Sequence, residues 1–140
     1  MIELFRVYDI NKKEWVNDKA YLSANGDLYI ASKGVFGTKL KLASDEDYLA
    51  HHSSGYIDSN GVVVMEGDIV DTIEQYDLFD RGIVIFHEMT DCFVIICPSK
   101  NTFIPMTLET AAVIKVVGNV VDNPDLVPIV ELGTEEQENE

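Results

Sequence analysis

The sequence predicts a mainly β protein: a β-rich α+β fold whose short strands form an SH3-like barrel or a sandwich, with one or two short helices. Three observations carry this reading. Asn25-Gly26 and Asn60-Gly61 each stand between apolar runs, and a primed hairpin turn needs positive φ at both central positions. The apolar runs are short and rich in Val, Ile, Tyr and Phe. Many such runs at close spacing, with little helical pattern between them, belong to barrels and sandwiches.

Taken in order, Ile2–Tyr8 is the first strand, and Asp9-Ile10-Asn11-Lys12-Lys13-Glu14 is a polar turn before Trp15-Val16. Tyr21–Ser23 and Leu28–Ala31 flank the first Asn-Gly hairpin. Lys33-Gly34 is a further turn before Val35–Leu42. Ser44-Asp45-Glu46-Asp47 has the chemistry of a helix start, with Ser44 as N-cap and acids in the first turn. Ser53-Ser54-Gly55 stops it, so a short helix is expected over 44–52. Tyr56-Ile57 and Val62–Met65 flank the second Asn-Gly hairpin, and Ile69–Ile73 continues after Glu66-Gly67-Asp68. Gly82–His87 and Cys92–Cys97 form a hairpin about Glu88–Asp91. Phe103–Met106 can only be an edge strand, because Pro105 has no amide to give a ladder. Val113–Val117 is the last strand, and Pro124 opens a final helical turn. One domain is expected over 1–130, comprising N-terminal hairpins (1–43), the helix (44–52) and a barrel-like core (55–127). An acidic disordered tail is expected over 131–140.

The chain has 140 residues, 46% of them hydrophobic, enough to bury a core without a metal or disulfide staple. No apolar run reaches the roughly 18 residues of a membrane span. The opening Met1–Arg6 lacks the pattern of a secretory leader, so a cytoplasmic protein is expected. Net charge is −15, distributed unevenly. Residues 1–41 carry seven bases and five acids, and residues 42–140 carry three bases and 20 acids. Such a surface repels phosphates, because nucleic-acid affinity comes mainly from cationic neutralisation. It permits a basic protein partner, or self-association through apolar patches.

Cys92 and Cys97 are five residues apart on one apparent strand, so they face opposite sides and lie about 16 Å apart. They are read as buried free thiols of a reducing compartment. No zinc site is expected.

Three segments together resemble the YopX family of bacteriophages and prophages of Gram-positive bacteria. Phe5-Arg6-Val7-Tyr8-Asp9, followed by Lys12-Lys13, resembles that family's opening. Gly55–Val70, with Asn60-Gly61 and Glu66-Gly67-Asp68, resembles its most specific stretch. Val113–Leu126, with Gly118-Asn119 and Asn123-Pro124, resembles its closing one. Ser54 and Val62-Val63 depart from the pattern, where Thr and charged residues are usual. The resemblance implies a β-rich fold, a phage origin and a bacterial cytoplasmic location, and it brings no molecular function with it.

The motif residues Gly55, Asn60, Gly61, Glu66, Gly67, Asp68, Gly118, Asn119, Asn123 and Pro124 are read as fold determinants. Glu66 and Asp68 have the composition of a divalent-cation or acid–base pair, but an acid-Gly-Asp turn serves equally well to bend the backbone and accept amides. His51 and His52 point about 100° apart on a helix, which hinders joint ligation. His87 stands beside Glu88. No catalytic residue, cofactor or metal is assigned, and the chain is expected not to be an enzyme.

The leading expectation is a phage accessory protein acting as a non-enzymatic interaction or self-assembly module, motivated by the apolar strands Val62–Met65 and Gly82–Phe86. A homo-oligomer is expected, with a basic host or phage protein as another partner class. An alternative is an acidic DNA mimic that occupies a basic host protein. Another is a single-strand nucleic-acid-binding barrel using Lys12, Lys13, Lys19, Lys33, Lys39 and Lys41 with Trp15, Tyr21, Tyr29 and Phe36, which the global charge disfavours. Neither nucleic acid nor membrane is an expected partner.

Overall fold

In a computed structural model of the chain, residues 5–76 and 78–128 are described. The expected acidic tail lies outside them. The fold is mainly β, with 52% of residues in strands and a curled half-barrel sheet. The chain divides into two compact units, Met1–His52 and Ser53–Glu140, each with its own buried cluster.

The first unit begins with β1 (Phe5–Asp9) and β2 (Glu14–Trp15), joined by the polar turn. A 3-10 turn (Asn17–Lys19) leads into β3 (Ala20–Leu22), β4 (Leu28–Gly34) and β5 (Gly37–Leu42). These last three form an antiparallel meander. Gly26, with φ +92°, turns the chain between β3 and β4 as the Asn-Gly signal requires. The β4–β5 turn lies one step later than expected: Gly34 pairs with Gly37, which leaves Val35 and Phe36 as the tip. Val7, Val16 and Ala20 are buried against Phe5, Leu28, Ile30, Tyr48 and Ala50. Two bonds join this core to the chain after β2: Val7 N donates to Asn17 Oδ1 at 2.7 Å, and Val16 N donates to Val7 O at 2.9 Å.

The expected helix over 44–52 does not form. Ser44 does accept the Glu46 amide, and its carbonyl accepts those of Asp47 and Tyr48, but this makes a single turn. Tyr48–Ile57 is instead β6, a ten-residue strand. Its residues Tyr48–His52 pair with β1, from Asp9↔Tyr48 to Phe5↔His52. A nine-residue helix is marginal by itself, and the ladder with β1 supplies partners for the same backbone groups while placing Tyr48 and Ala50 on the core.

The second unit takes up the rest of β6, which pairs with β7 (Val63–Met65) through Ser53↔Met65 and Ile57↔Val63. The register shift between these pairs is a bulge at Gly55, whose φ is +83°. There follow β8 (Asp68–Thr72), β9 (Arg81–His87), β10 (Cys92–Cys97), β11 (Thr102–Pro105) and β12 (Ile114–Asn119). They form one antiparallel sheet in the order β11-β10-β9-β8-β12. Thr102–Pro105 takes the edge, as Pro105 demands. A five-residue helix α1 (Leu108–Ala112), absent from the sequence reading, precedes β12, and Thr107 Oγ1 caps it by accepting the Thr110 amide at 3.1 Å. Val64, Val70, Phe79, Val84, Ile95, Cys97, Met106, Ala111 and Ile114 form the core. The strands Val62–Met65 and Gly82–Phe86, read as apolar enough for an interface, thus spend Val64, Met65 and Val84 on burial. Cys92 and Cys97 are both free, the second buried.

Candidate functional site

The motif residues of the second unit hold backbone together. Glu66-Gly67 is a tight turn between β7 and β8, with Gly67 at φ +83°. Gly67 N donates to Val84 O at 2.8 Å, and Gly67 O accepts from Val120 N at 2.9 Å. Asp68, 2% exposed, accepts the Met65 amide on Oδ2 at 2.8 Å. Gly61, at φ +81°, closes the Asp58–Val62 turn after Asn60. Gly118 has no room for a side chain, because an added Cβ would stand 2.5 Å from Asn123 Oδ1. That same oxygen accepts the Asn119 amide at 3.2 Å, while Asn119 Oδ1 accepts those of Val121 and Asp122. Pro124 opens the 3-10 turn Pro124–Leu126.

The residue that sequence reasoning missed is Asp58. It is 6% exposed and accepts three amides at 2.8 Å: Asn60 and Val62 on Oδ1, Val116 on Oδ2. Asp two residues before Asn-Gly is a turn signal in its own right, but its third partner lies in β12 and leaves no mark on the local sequence.

The histidines are dispersed. His51, 5% exposed, accepts from Arg6 Nε at 3.3 Å and lies 6.2 Å from the Trp15 ring. His87 does not turn to Glu88; it stacks on Phe103 at 5.2 Å and meets Thr90 Oγ1 at 2.7 Å through Nδ1. Among the described residues no group of three or more His, Cys, Asp or Glu could hold a metal ion. Asp71 and Arg81 form a two-point ion pair at 2.7 and 2.9 Å, which raises the Arg81 pKa further.

Two overlapping clefts lie in the first unit. One cleft of about 290 Å³ is lined by Asp9, Lys12, Ile30, Ser32, Lys41 and Tyr48, among others. A second, of about 560 Å³, shares Asp9, Lys12, Ile30, Ser32 and Tyr48, and adds Lys19, Tyr21 and Lys33. Burial, then Asp9 and Asp47, push the Tyr48 hydroxyl above its ordinary 10.0. Asp9 accepts the Lys12 amide at 2.9 Å. No salt bridge among the described residues engages Lys12, Lys19, Lys33 or Lys41.

On the outer face of the meander, Tyr21, Tyr29 and Leu42 stand opposite one another, followed by Ala31 with Leu40 and Lys33 with Thr38. All six residues of β5 are exposed. At the tip Val35 is 93% exposed and Phe36 103%. Of the aromatic residues singled out in the sequence, Tyr21 and Tyr29 thus share a face with Lys33. Trp15 is engaged elsewhere: it packs on Tyr8 at 5.1 Å and under the Arg6 guanidinium at 5.0 Å.

Among the described residues no helix is long and apolar enough to cross a membrane. The family model described as YopX protein matches residues 4–128. No curated protein matches. Two solved structures share the fold. Protein yopX from Bacillus subtilis superposes with a TM-score of 0.60 at 18% identity, covering 91% of this chain and 100% of that one. Protein EF1440 from Enterococcus faecalis superposes with a TM-score of 0.58 at 19% identity, covering 91% and 99%.

Proposed function

This chain belongs to the YopX protein family, and from that premise we propose that it is a phage- or prophage-encoded accessory protein of the bacterial cytoplasm: a non-enzymatic interaction module that self-associates. The observation that carries this reading is the β4–β5 tip, where Val35 and Phe36 stand in water at 93% and 103% exposure. Burying one such side chain is worth about 1.5–3 kcal/mol, so covering both in a contact is favourable. Leu40 and Leu42 extend the apolar surface along β5. Two buried acids of the second unit, Asp58 and Asp68, serve the fold by accepting backbone amides. Sedimentation of the full chain at high micromolar concentration tests the reading. A mass above the 15.7 kDa monomer, lowered by Phe36→Ser, is expected; a clean monomer overturns it.

A second reading is favoured by one observation, the shared face of Tyr21, Tyr29 and Lys33, which has the composition of a base-stacking platform. Fluorescence anisotropy with a labelled single-stranded oligonucleotide at low salt separates the two. Absence of binding removes the nucleic-acid reading and leaves the first untouched.

A further inference from the structure

β4 runs for seven residues but β3 covers only Leu28–Ile30. Beyond that point β5 continues on one side, from Ala31↔Leu40 to Gly34↔Gly37. On the other side Ala31–Gly34 have no strand beside them among the described residues. The cleft of about 560 Å³ opens there, along Ala31, Ser32 and Lys33. An unpaired strand edge is a template for a further strand. Lys12, Lys19 and Lys33 line this notch, all three exposed and none in a salt bridge with a described residue.

The occupant is indicated by charge and pattern. Met1–His52 carries seven bases and eight acids, and Ser53–Glu140 three bases and 17 acids, so the first unit is close to neutral and the second strongly negative. Residues 129–140, outside the described chain, hold five glutamates and no lysine or arginine. They open with Ile129-Val130-Glu131-Leu132, an extended-compatible run that sets Glu131 between apolar neighbours. The outer edge of β5 is a poorer site for a second copy, because Lys39 and Lys41 of both copies would face one another there.

We propose that the notch beside Ala31–Gly34 receives the C-terminal segment of a second copy as an added strand, its backbone pairing with β4 and its glutamates meeting Lys12, Lys19 and Lys33. Four residues of edge accommodate about 13 Å of extended chain, and main-chain bonding with side-chain selection is an established mode of peptide capture. The inference rests on the self-association reading and names a segment that acts together with the neighbouring β4–β5 tip in the contact. Because the tail of one copy enters a different surface of the next, the contact closes either by reciprocal exchange between two copies or as a ring of more.

The test uses the full chain and a fluorescent peptide of residues 129–140. The receptor is the chain bearing Glu131→Gln, Glu135→Gln, Glu136→Gln, Glu138→Gln and Glu140→Gln, so that its own tail competes weakly. The peptide is expected to bind, to lose at least fivefold in affinity against a receptor that also carries Lys12→Glu and Lys33→Glu, and to weaken steeply with salt. N-methylation at Val130 and Leu132, which removes strand amides while keeping every charge, should also weaken it severalfold. In sedimentation the five-fold glutamine chain should lose self-association that the natural sequence shows. No peptide binding, binding indifferent to Lys12→Glu and Lys33→Glu, or binding equal for the N-methylated peptide overturns the proposal. Self-association that survives the glutamine substitutions overturns this inference alone, whereas a natural chain that is monomeric overturns both it and the reading beneath it.

Discussion

Asp58 Oδ2 accepts the backbone N–H of Val116 at 2.8 Å, joining the β6–β7 turn to β12 across 58 residues of sequence. The other oxygen of the same carboxylate closes the turn itself by accepting Asn60 and Val62. One side chain thus fixes a local shape and a distant strand together, with three of its carboxylate's acceptor positions taken by backbone amides.

Asp58→Ala leaves three backbone amides without their acceptor, two of them in the exposed Asn60–Val62 turn, and is expected to cost about 2 kcal/mol, since an orphaned buried amide costs roughly 1–3 kcal/mol and water can replace the partner at the exposed ones. Asp58→Asn keeps one accepting oxygen and should cost about half as much. Urea titration of the two variants checks the order; equal and negligible losses would show that the geometry does not bear on stability.

Gly118→Ala should displace the Asn123 side chain, because the new Cβ would stand 2.5 Å from Oδ1. A loss of about 1–2 kcal/mol is expected, of the size seen for overpacking. Asn123→Ala removes the obstacle together with the bond to Asn119, so Gly118→Ala added to it should cost little more. The cycle of four proteins, read as urea midpoints, should be non-additive; strict additivity contradicts the contact.

Gly67→Val forces a β-branched residue to φ +83° and disturbs the amide and carbonyl that reach Val84 and Val120. A loss of at least about 2 kcal/mol follows from strain and bonding together. Gly61→Val, at φ +81° in open space, should cost at least about 1 kcal/mol from strain alone. Asp68→Asn should fall between Gly67→Val and Glu66→Gln, and Glu66→Gln should be the mildest. Thermal melts rank the four. A melting temperature raised by Glu66→Gln or Asp68→Asn together with loss of a measured partner would mark the turn as a functional site.

Burial raises the Cys97 thiol above its ordinary 9.0, with Lys100 opposing. The folded chain therefore holds this proton at pH values where the unfolded chain has released it. Native protein binding more protons means that stability falls as pH rises. The contribution is fully present below pH 9.0 and is lost as pH climbs above it. Tyr48 adds a second decline above 10.0, with the same sign. Urea midpoints from pH 7 to 10.5 should stay level and then drop, and Cys97→Ala should flatten the first part of the drop. In native protein at pH 8, iodoacetamide should modify the half-buried Cys92 well before Cys97.

What the sequence made legible was local. Gly26 and Gly61 turn hairpins because Asn-Gly carries its own conformational preference, and Pro105 marks an edge because its missing amide is a property of one residue. The helix over 44–52 was misread for the converse reason. Ser44 supplies real cap chemistry, but the strand that claims Tyr48–His52 is β1, far back in the sequence. Asp58 was passed over because Val116 is invisible from its neighbourhood. The small α1 has a Thr107 cap and Glu109 in its first turn, but five residues are too few to show a helical period. The unpaired edge at Ala31–Gly34 follows from the difference in length between β3 and β4, which is a property of pairing and not of any residue.

The place of β12 in the sheet has a consequence for synthesis. The order β11-β10-β9-β8-β12 puts the last described strand beside β8, some 45 residues earlier, so a growing polypeptide leaves β8 bare along that edge until β12 has emerged from the ribosome. The first unit meets no such delay, because its closing strand segment ends at His52. Vectorial production therefore lets Met1–His52 close first, followed by a hairpin-rich intermediate with an open flank. A nascent chain stalled before β12 is the species in which that flank would recruit foreign strands.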